Sequence, residues 1–112
     1  MRYKITQEGE ITVVAFSGNI VGGPEAGEFH DAIKSKLDSG SRKFIFNFSK
    51  AKWINSTGLG IVVAAYMSVT SAKGQLLLCG SNDRISGVFY ISQLEKILDK
   101  RDTLDEAMGA LA

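Results

Sequence analysis

Trp53-Ile54-Asn55-Ser56-Thr57-Gly58-Leu59-Gly60, running directly into Ile61-Val62-Val63-Ala64-Ala65-Tyr66, is the stretch on which the fold turns. No charged residue stands between Lys52 and Lys73. The small polar residues at its head suit the start of a helix, and the apolar residues behind them suit its body. The helix is predicted from Ser56 to Ala72, with Lys73-Gly74 ending it. Before it, Lys43-Phe44-Ile45-Phe46-Asn47-Phe48 is apolar on both faces for most of its length, as an interior strand is. After it, Gln75 to Cys79 reads as another strand. Strand, helix and strand in that order imply a right-handed crossover and a parallel pair.

On the N-terminal side, Tyr3 to Thr6 and Ile11-Thr12-Val13-Val14-Ala15-Phe16 read as two strands joined by turn chemistry at Gln7-Glu8-Gly9-Glu10. A hairpin there makes the sheet mixed. Gly18 is expected to end the second strand, and Gly22-Gly23-Pro24 to open a loop into a helix whose stripe is Ala26, Phe29, Ile33 and Leu37, with Gly40 as its stop. On the C-terminal side, Ser81-Asn82-Asp83 cap a third helix bearing Ile85, Val88 and Phe89 and reaching toward Leu94, and Lys96-Ile97-Leu98 is read as a short terminal strand. Thr103-Leu104-Asp105-Glu106 has the form of a capping box, opening a last helix with Leu104, Ala107, Met108 and Leu111 on one stripe. The expectation is an α/β fold, one domain over residues 1–112, with a mixed central sheet and about four helices.

Composition narrows the function. A net charge of +1 offers no footprint for nucleic acid or an anionic membrane. The only cysteine, Cys79, lies in an apolar run and reads as a small buried residue. The N-terminus lacks the apolar core of a signal peptide, and polar residues from Asn55 to Ser71 dilute the uncharged span too far for a membrane helix. The expected location is the cytoplasm.

No enzyme constellation emerges. One histidine and one cysteine cannot build a zinc site, and no metal or cofactor is expected. His30 reads as a helix-flank residue. Gly18 to Gly23 resembles the start of a phosphate loop, but Pro24-Glu25 stands where lysine and a hydroxyl residue belong. Gly58-Leu59-Gly60 lacks the third glycine of a dinucleotide fingerprint, since Val63 occupies it, and Ile54 replaces the leading glycine of a nucleophile elbow around Ser56.

What remains is Ser56 and Thr57. Either Asn55 or Ser56 caps the helix, for about 1 kcal/mol. A helical wheel assigns Leu59, Val62, Val63, Tyr66 and Thr70 to the core and leaves Gly60, Ile61, Ala64, Ala65, Ser68 and Ala72 on the opposite face. These are small and uncharged where lysine and glutamate normally stand, so another surface can approach closely. A phosphoryl group on Ser56 would meet the positive end of the helix dipole, and its charge of about −2 would act against a docked partner.

Asn55-Ser56-Thr57-Gly58-Leu59-Gly60 resembles the signature of the STAS domain, the fold of bacterial anti-sigma-factor antagonists. The likeness extends to the opening hairpin, the strand before the motif, Gly74, and Val88-Phe89-Tyr90-Ile91-Ser92-Gln93-Leu94. The resemblance implies that Ser56 is the phosphoacceptor, with Thr57 second. It implies that the unphosphorylated chain binds an anti-sigma factor that is also a serine kinase, that phosphorylation ends the binding, and that a serine phosphatase restores it. The expected contact residues are Asn55, Ser56, Thr57, Gly58, Gly60, Ile61, Ala64, Ala65 and Ser68, with Asn19 and Val21 from the loop after the second strand. Two departures stand out. Asn55 replaces the family's aspartate, and Gly18-Asn19-Ile20-Val21-Gly22-Gly23 replaces a segment of Gly-Glu-Leu-Asp type that normally helps contact the kinase. The competing readings are a non-phosphorylated scaffold subunit of a signalling or lipid-transport complex and, third, a small enzyme depending on His30.

Overall fold

The computed structural model describes residues 1–112. Its centre is a five-stranded sheet in the order β1 (Arg2–Glu8), β2 (Ile11–Ile20), β3 (Lys43–Ile54), β4 (Gln75–Cys79) and β5 (Lys100–Arg101). β1 is antiparallel to β2, and every other neighbouring pair is parallel. The sheet is therefore mixed, as expected. Between the strands run α1 (Glu25–Asp38), α2 (Ser56–Ser71) and α3 (Asp83–Ile91), and α4 (Leu104–Leu111) closes the described chain.

Local chemistry explains most of these bounds. Gly9 takes a positive φ of 62° in the turn between Glu8 and Ile11, which brings those two residues opposite each other. α1 starts directly after Pro24 and ends in a Schellman arrangement, with the amide of Ser41 donating to the Lys36 carbonyl and that of Gly40 to the Leu37 carbonyl. Gly40 adopts φ 102°, which a β-carbon would oppose. The side chains of Asn82 and Thr103 cap α3 and α4 by accepting the amides of Ile85 and Glu106.

Alternation along the strands sorts the core into two layers. Val14 and Phe16 of β2, Phe44, Phe46 and Phe48 of β3, and Leu76 and Leu78 of β4 face α1, α2 and α3. Ile11, Val13, Ile45, Leu77 and Cys79 face α4, meeting Ala107 and Leu111. All six phenylalanines are buried. Phe16 is their hub, stacked on Phe48 at 5.2 Å and set against Phe46 and Phe29 at 5.4 and 5.5 Å. Ring pairs in these geometries add to the burial term that holds the three helices on the sheet.

Three expectations are corrected. Gly18 does not end β2. It takes φ 69° within a bulged stretch, and the strand continues to Ile20 because β3 offers it a longer edge, Ser17 pairing with Lys50 and Ile20 with Ile54. Likewise β3 runs past Phe48 to Ile54. The polar Ser49, Lys50 and Lys52 break the apolar pattern, yet Ala51 and Ile54 remain buried and the Asn82 amide donates to the carbonyls of Ala51 and Lys52. Finally, Lys96-Ile97-Leu98 is not a strand. Gln93 sits at φ 59° and starts a short 3-10 turn over Leu94–Lys96, Leu98 drops into the core, and the strand forms later at Lys100–Arg101.

Burial at the α4 layer pushes the Cys79 thiol up from 9.0 to about 11. Its thiolate is therefore disfavoured in the fold, so stability from this group is intact below pH 9.0 and declines as pH rises from there toward about 11. A thiol-reactive disulfide dye at pH 8 is expected to label unfolded chain readily and native chain at least about a hundredfold more slowly. Equal rates in urea and in buffer would contradict this packing.

Candidate functional site

The site forms where β2 and β3 end side by side. The Asn55 amide donates to the Ile20 carbonyl at 3.2 Å, which fixes the turn out of β3. Asn55, at φ −101° and ψ −178°, then caps α2: its Oδ1 accepts the Gly58 amide at 2.8 Å while its own carbonyl accepts that of Leu59, also at 2.8 Å. Of the two capping candidates the structure chooses Asn55. Ser56 is thus the first helical residue, its hydroxyl released from capping. It is exposed, and its side chain takes part in none of the intramolecular hydrogen bonds. The amides of Ser56 and Thr57 have no partner within the helix and point toward the space above it.

Thr57 is also exposed but less free. Gly22, at φ 86°, brings its backbone against the Thr57 methyl, where a β-carbon would come within 2.7 Å. Val21 of the same loop is exposed beside the helix mouth, and so is Asn19, which belongs not to that loop, as expected, but to the end of β2, because the strand runs on to Ile20. Asn19 pairs with Trp53, whose indole is 42% exposed. Sequence reasoning left Trp53 out of the contact set. Its place at the strand end, next to the cap, was the available signal.

The helical wheel needs correction. Gly58 and Ala65, both expected at a partner's surface, lie in the interior. Gly58 rests so closely on the Ile20 carbonyl that a β-carbon would overlap it. Ala65 belongs to the buried stripe Leu59, Val62, Ala65 and Val69, spaced three, three and four apart. Thr70 lies outside, its hydroxyl donating to the carbonyls of Tyr66 and Met67. Val63 and Tyr66 are half-buried, and the Tyr66 hydroxyl reaches the Ile97 carbonyl at 3.2 Å. Ile61 and Ser68 are half-buried too, Ile61 reaching toward Gly22. The exposed stripe is Ser56, Gly60, Ala64, Met67 and Ser71. Met67, 60% exposed, was missed although it stands three residues beyond Ala64. The stripe is neutral throughout.

His30 is exposed on α1, and it is absent from the chain's side-chain hydrogen bonds to Ser56 or any other residue. No group of three or more histidine, cysteine or acidic side chains is placed to hold a metal ion. No helix is long and apolar enough to cross a membrane.

This geometry is that of a known family. The chain belongs to the STAS domain family, whose model matches residues 2–107. A Thermotoga neapolitana protein described as an anti-sigma factor antagonist is 33% identical over 72 residues, a match spanning 64% of this chain and 64% of that relative's length. The crystal structure of an anti-sigma factor antagonist from Thermotoga maritima superposes with a TM-score of 0.87 at 22% identity, over 97% of this chain and 93% of its own. The Bacillus cell fate determinant SpoIIAA in its phosphorylated form superposes with a TM-score of 0.78 at 18% identity, over 99% of this chain and 100% of its own.

Two substitutions test the helix mouth. Asn55→Ala is expected to lower unfolding stability by about 1 kcal/mol, while Asn55→Asp keeps the cap and gains from the dipole. Gly58→Ala is expected to cost about 3 kcal/mol, because the clash is with main chain. Urea unfolding of the three variants measures both; a harmless Gly58→Ala would refute the close packing.

Proposed function

We propose that the chain is an anti-sigma-factor antagonist. Unphosphorylated, it binds an anti-sigma factor that is itself a serine kinase; phosphorylated on Ser56, it is released. A serine phosphatase returns it to the binding state. The chain acts as substrate and ligand, and the kinase supplies ATP and catalysis.

The observation that carries this reading is the state of the Ser56 hydroxyl. Asn55 does the capping, so the hydroxyl is exposed and uncommitted at the first position of a helix whose exposed stripe is neutral. A phosphoryl group there would accept from the adjacent free amides and complement the helix dipole, so the fold tolerates it. Thr57 is the weaker acceptor because Gly22 packs on its methyl. The same phosphate would place a charge of about −2 at the edge of an uncharged docking face, where desolvation and repulsion oppose a partner. The family membership and the relatives' described role support the partner class.

The contact set under this reading is Ser56, Thr57, Gly60, Ile61, Ala64, Met67 and Ser68 on α2, together with Asn19, Val21 and Trp53 beside its mouth. Asn55 holds the helix start. Charge is absent from this face, so its affinity comes from close apposition and the indole.

Incubation with the cognate kinase and ATP is expected to add one phosphate, and Ser56→Ala to add none. Ser56→Asp should unfold no more easily than the wild type yet bind the kinase about thirtyfold more weakly, equivalent to about 2 kcal/mol. A pull-down should lose the kinase when ATP is supplied. Equal binding by Ser56→Asp, or phosphate retained in Ser56→Ala, would overturn the assignment.

A further inference from the structure

The sheet has an open edge that the helix mouth does not use. β1 is seven residues long, contains no proline or bulge, and pairs with β2 from Arg2 through Glu8. Glu8 and Ile11 flank the hairpin turn as a hydrogen-bonded pair, so Arg2, Lys4, Thr6 and Glu8 direct their main-chain groups to β2. The N–H and C=O groups of Tyr3, Ile5 and Gln7 therefore point outward along the edge. None of them takes part in the backbone bonds made outside helices and strands. Such a row is a template for another strand unless something blocks it.

The side chains of this strand are self-complementary. Tyr3 and Ile5 pack toward the α1 side of the sheet, which leaves Arg2, Lys4, Thr6 and Glu8 on the other face. Arg2, Lys4 and Glu8 have no ion-pair partner within the chain. If a second β1 runs antiparallel with its Ile5 opposite Ile5, Arg2 faces Glu8 of the second copy and Glu8 faces its Arg2. Lys4 then faces Thr6, and Tyr3 faces Gln7. In this register the outward-pointing residues of one strand meet those of the other, so each facing pair exchanges two backbone hydrogen bonds. A shift by one residue would break that match and also move Arg2 off Glu8.

We propose that β1 is a self-association edge, joining two copies of this chain about a two-fold axis at Ile5 into one continuous sheet. The helices leave room for it: Phe29 of α1 packs on Phe16 of β2 and Phe46 of β3 as well as on Tyr3, so α1 lies inboard of the edge. α2 packs on β3 and β4, which lie beyond β2 from this edge. Both helix mouths stay open in the dimer, which then presents its partner-binding faces in duplicate.

Sedimentation equilibrium of the purified chain up to about 500 µM tests this, a range suited to an interface below standard size. The wild type is expected to show a monomer–dimer equilibrium. Arg2→Glu and Glu8→Arg should each weaken it about tenfold by setting like charges opposite one another, and the two together should restore it to within about threefold. Ile5→Pro should abolish it, since the lost N–H points away from β2 and the hairpin keeps its ladder. Should Ile5→Pro unfold by circular dichroism, the charge series decides alone, as Arg2 and Glu8 are exposed. A chain that stays monomeric at the highest concentration, single reversals that leave the dimer unchanged, or a double reversal no tighter than the singles would each overturn the proposal.

Discussion

The contact between Gly58 and the Ile20 carbonyl ties the molecule together. It places the first turn of α2 directly on the last residue of β2, at a distance only a glycine allows. From it follow the height at which Asn55 meets the same carbonyl, the register of the β2–β3 ends, and the direction in which Ser56 points. The phenylalanine layer beneath holds the strands and helices together, and the close approach of Gly58 sets where α2 begins upon it.

That constraint also separates two duties which a cap residue could have combined. Asn55 satisfies the Gly58 amide, so Ser56 is relieved of a structural role and its hydroxyl is open to modification. A family aspartate at this position would do the same capping with an added negative charge near the acceptor. Asparagine keeps the hydrogen bond and omits the charge, leaving the mouth of the helix more hospitable to an incoming anion. The neutral stripe below it, from Gly60 to Ser71, has no charge of its own, so under the proposed reading a phosphate on Ser56 would spare the fold and act on the docked partner.

Legibility varied with how local the determining physics was. Capping residues and glycine stops lie within a turn of what they control, and so the start of α2, the bounds of β4, the stop of α1 at Gly40 and the capping of α4 at Thr103 could be read from residues alone. Strand lengths were harder. β2 and β3 run on past Phe16 and Phe48 because each supplies the other's edge, a pairing between residues some thirty positions apart that the polar Ser49-Lys50 and the glycine at 18 conceal. The terminal strand was displaced for a similar reason: Leu98 is drawn into the core and the Asp99 carbonyl accepts the Leu78 amide, so pairing begins only at Lys100.

The sequence by itself determined the α/β architecture, the helix that opens at Ser56, and the absence of charge on that helix, because propensity, capping and composition act over a few residues. Tertiary structure decided which faces of α2 are hidden. Its residues are nearly all apolar or small, so the wheel has no polar side to orient it. Only packing against the sheet and the Gly22 loop rotates the helix so that Ala65 and Val69 turn inward, while Ala64 and Met67 turn outward. It likewise decided between Asn55 and Ser56 as the cap, since that choice rests on where the Ile20 carbonyl holds the chain.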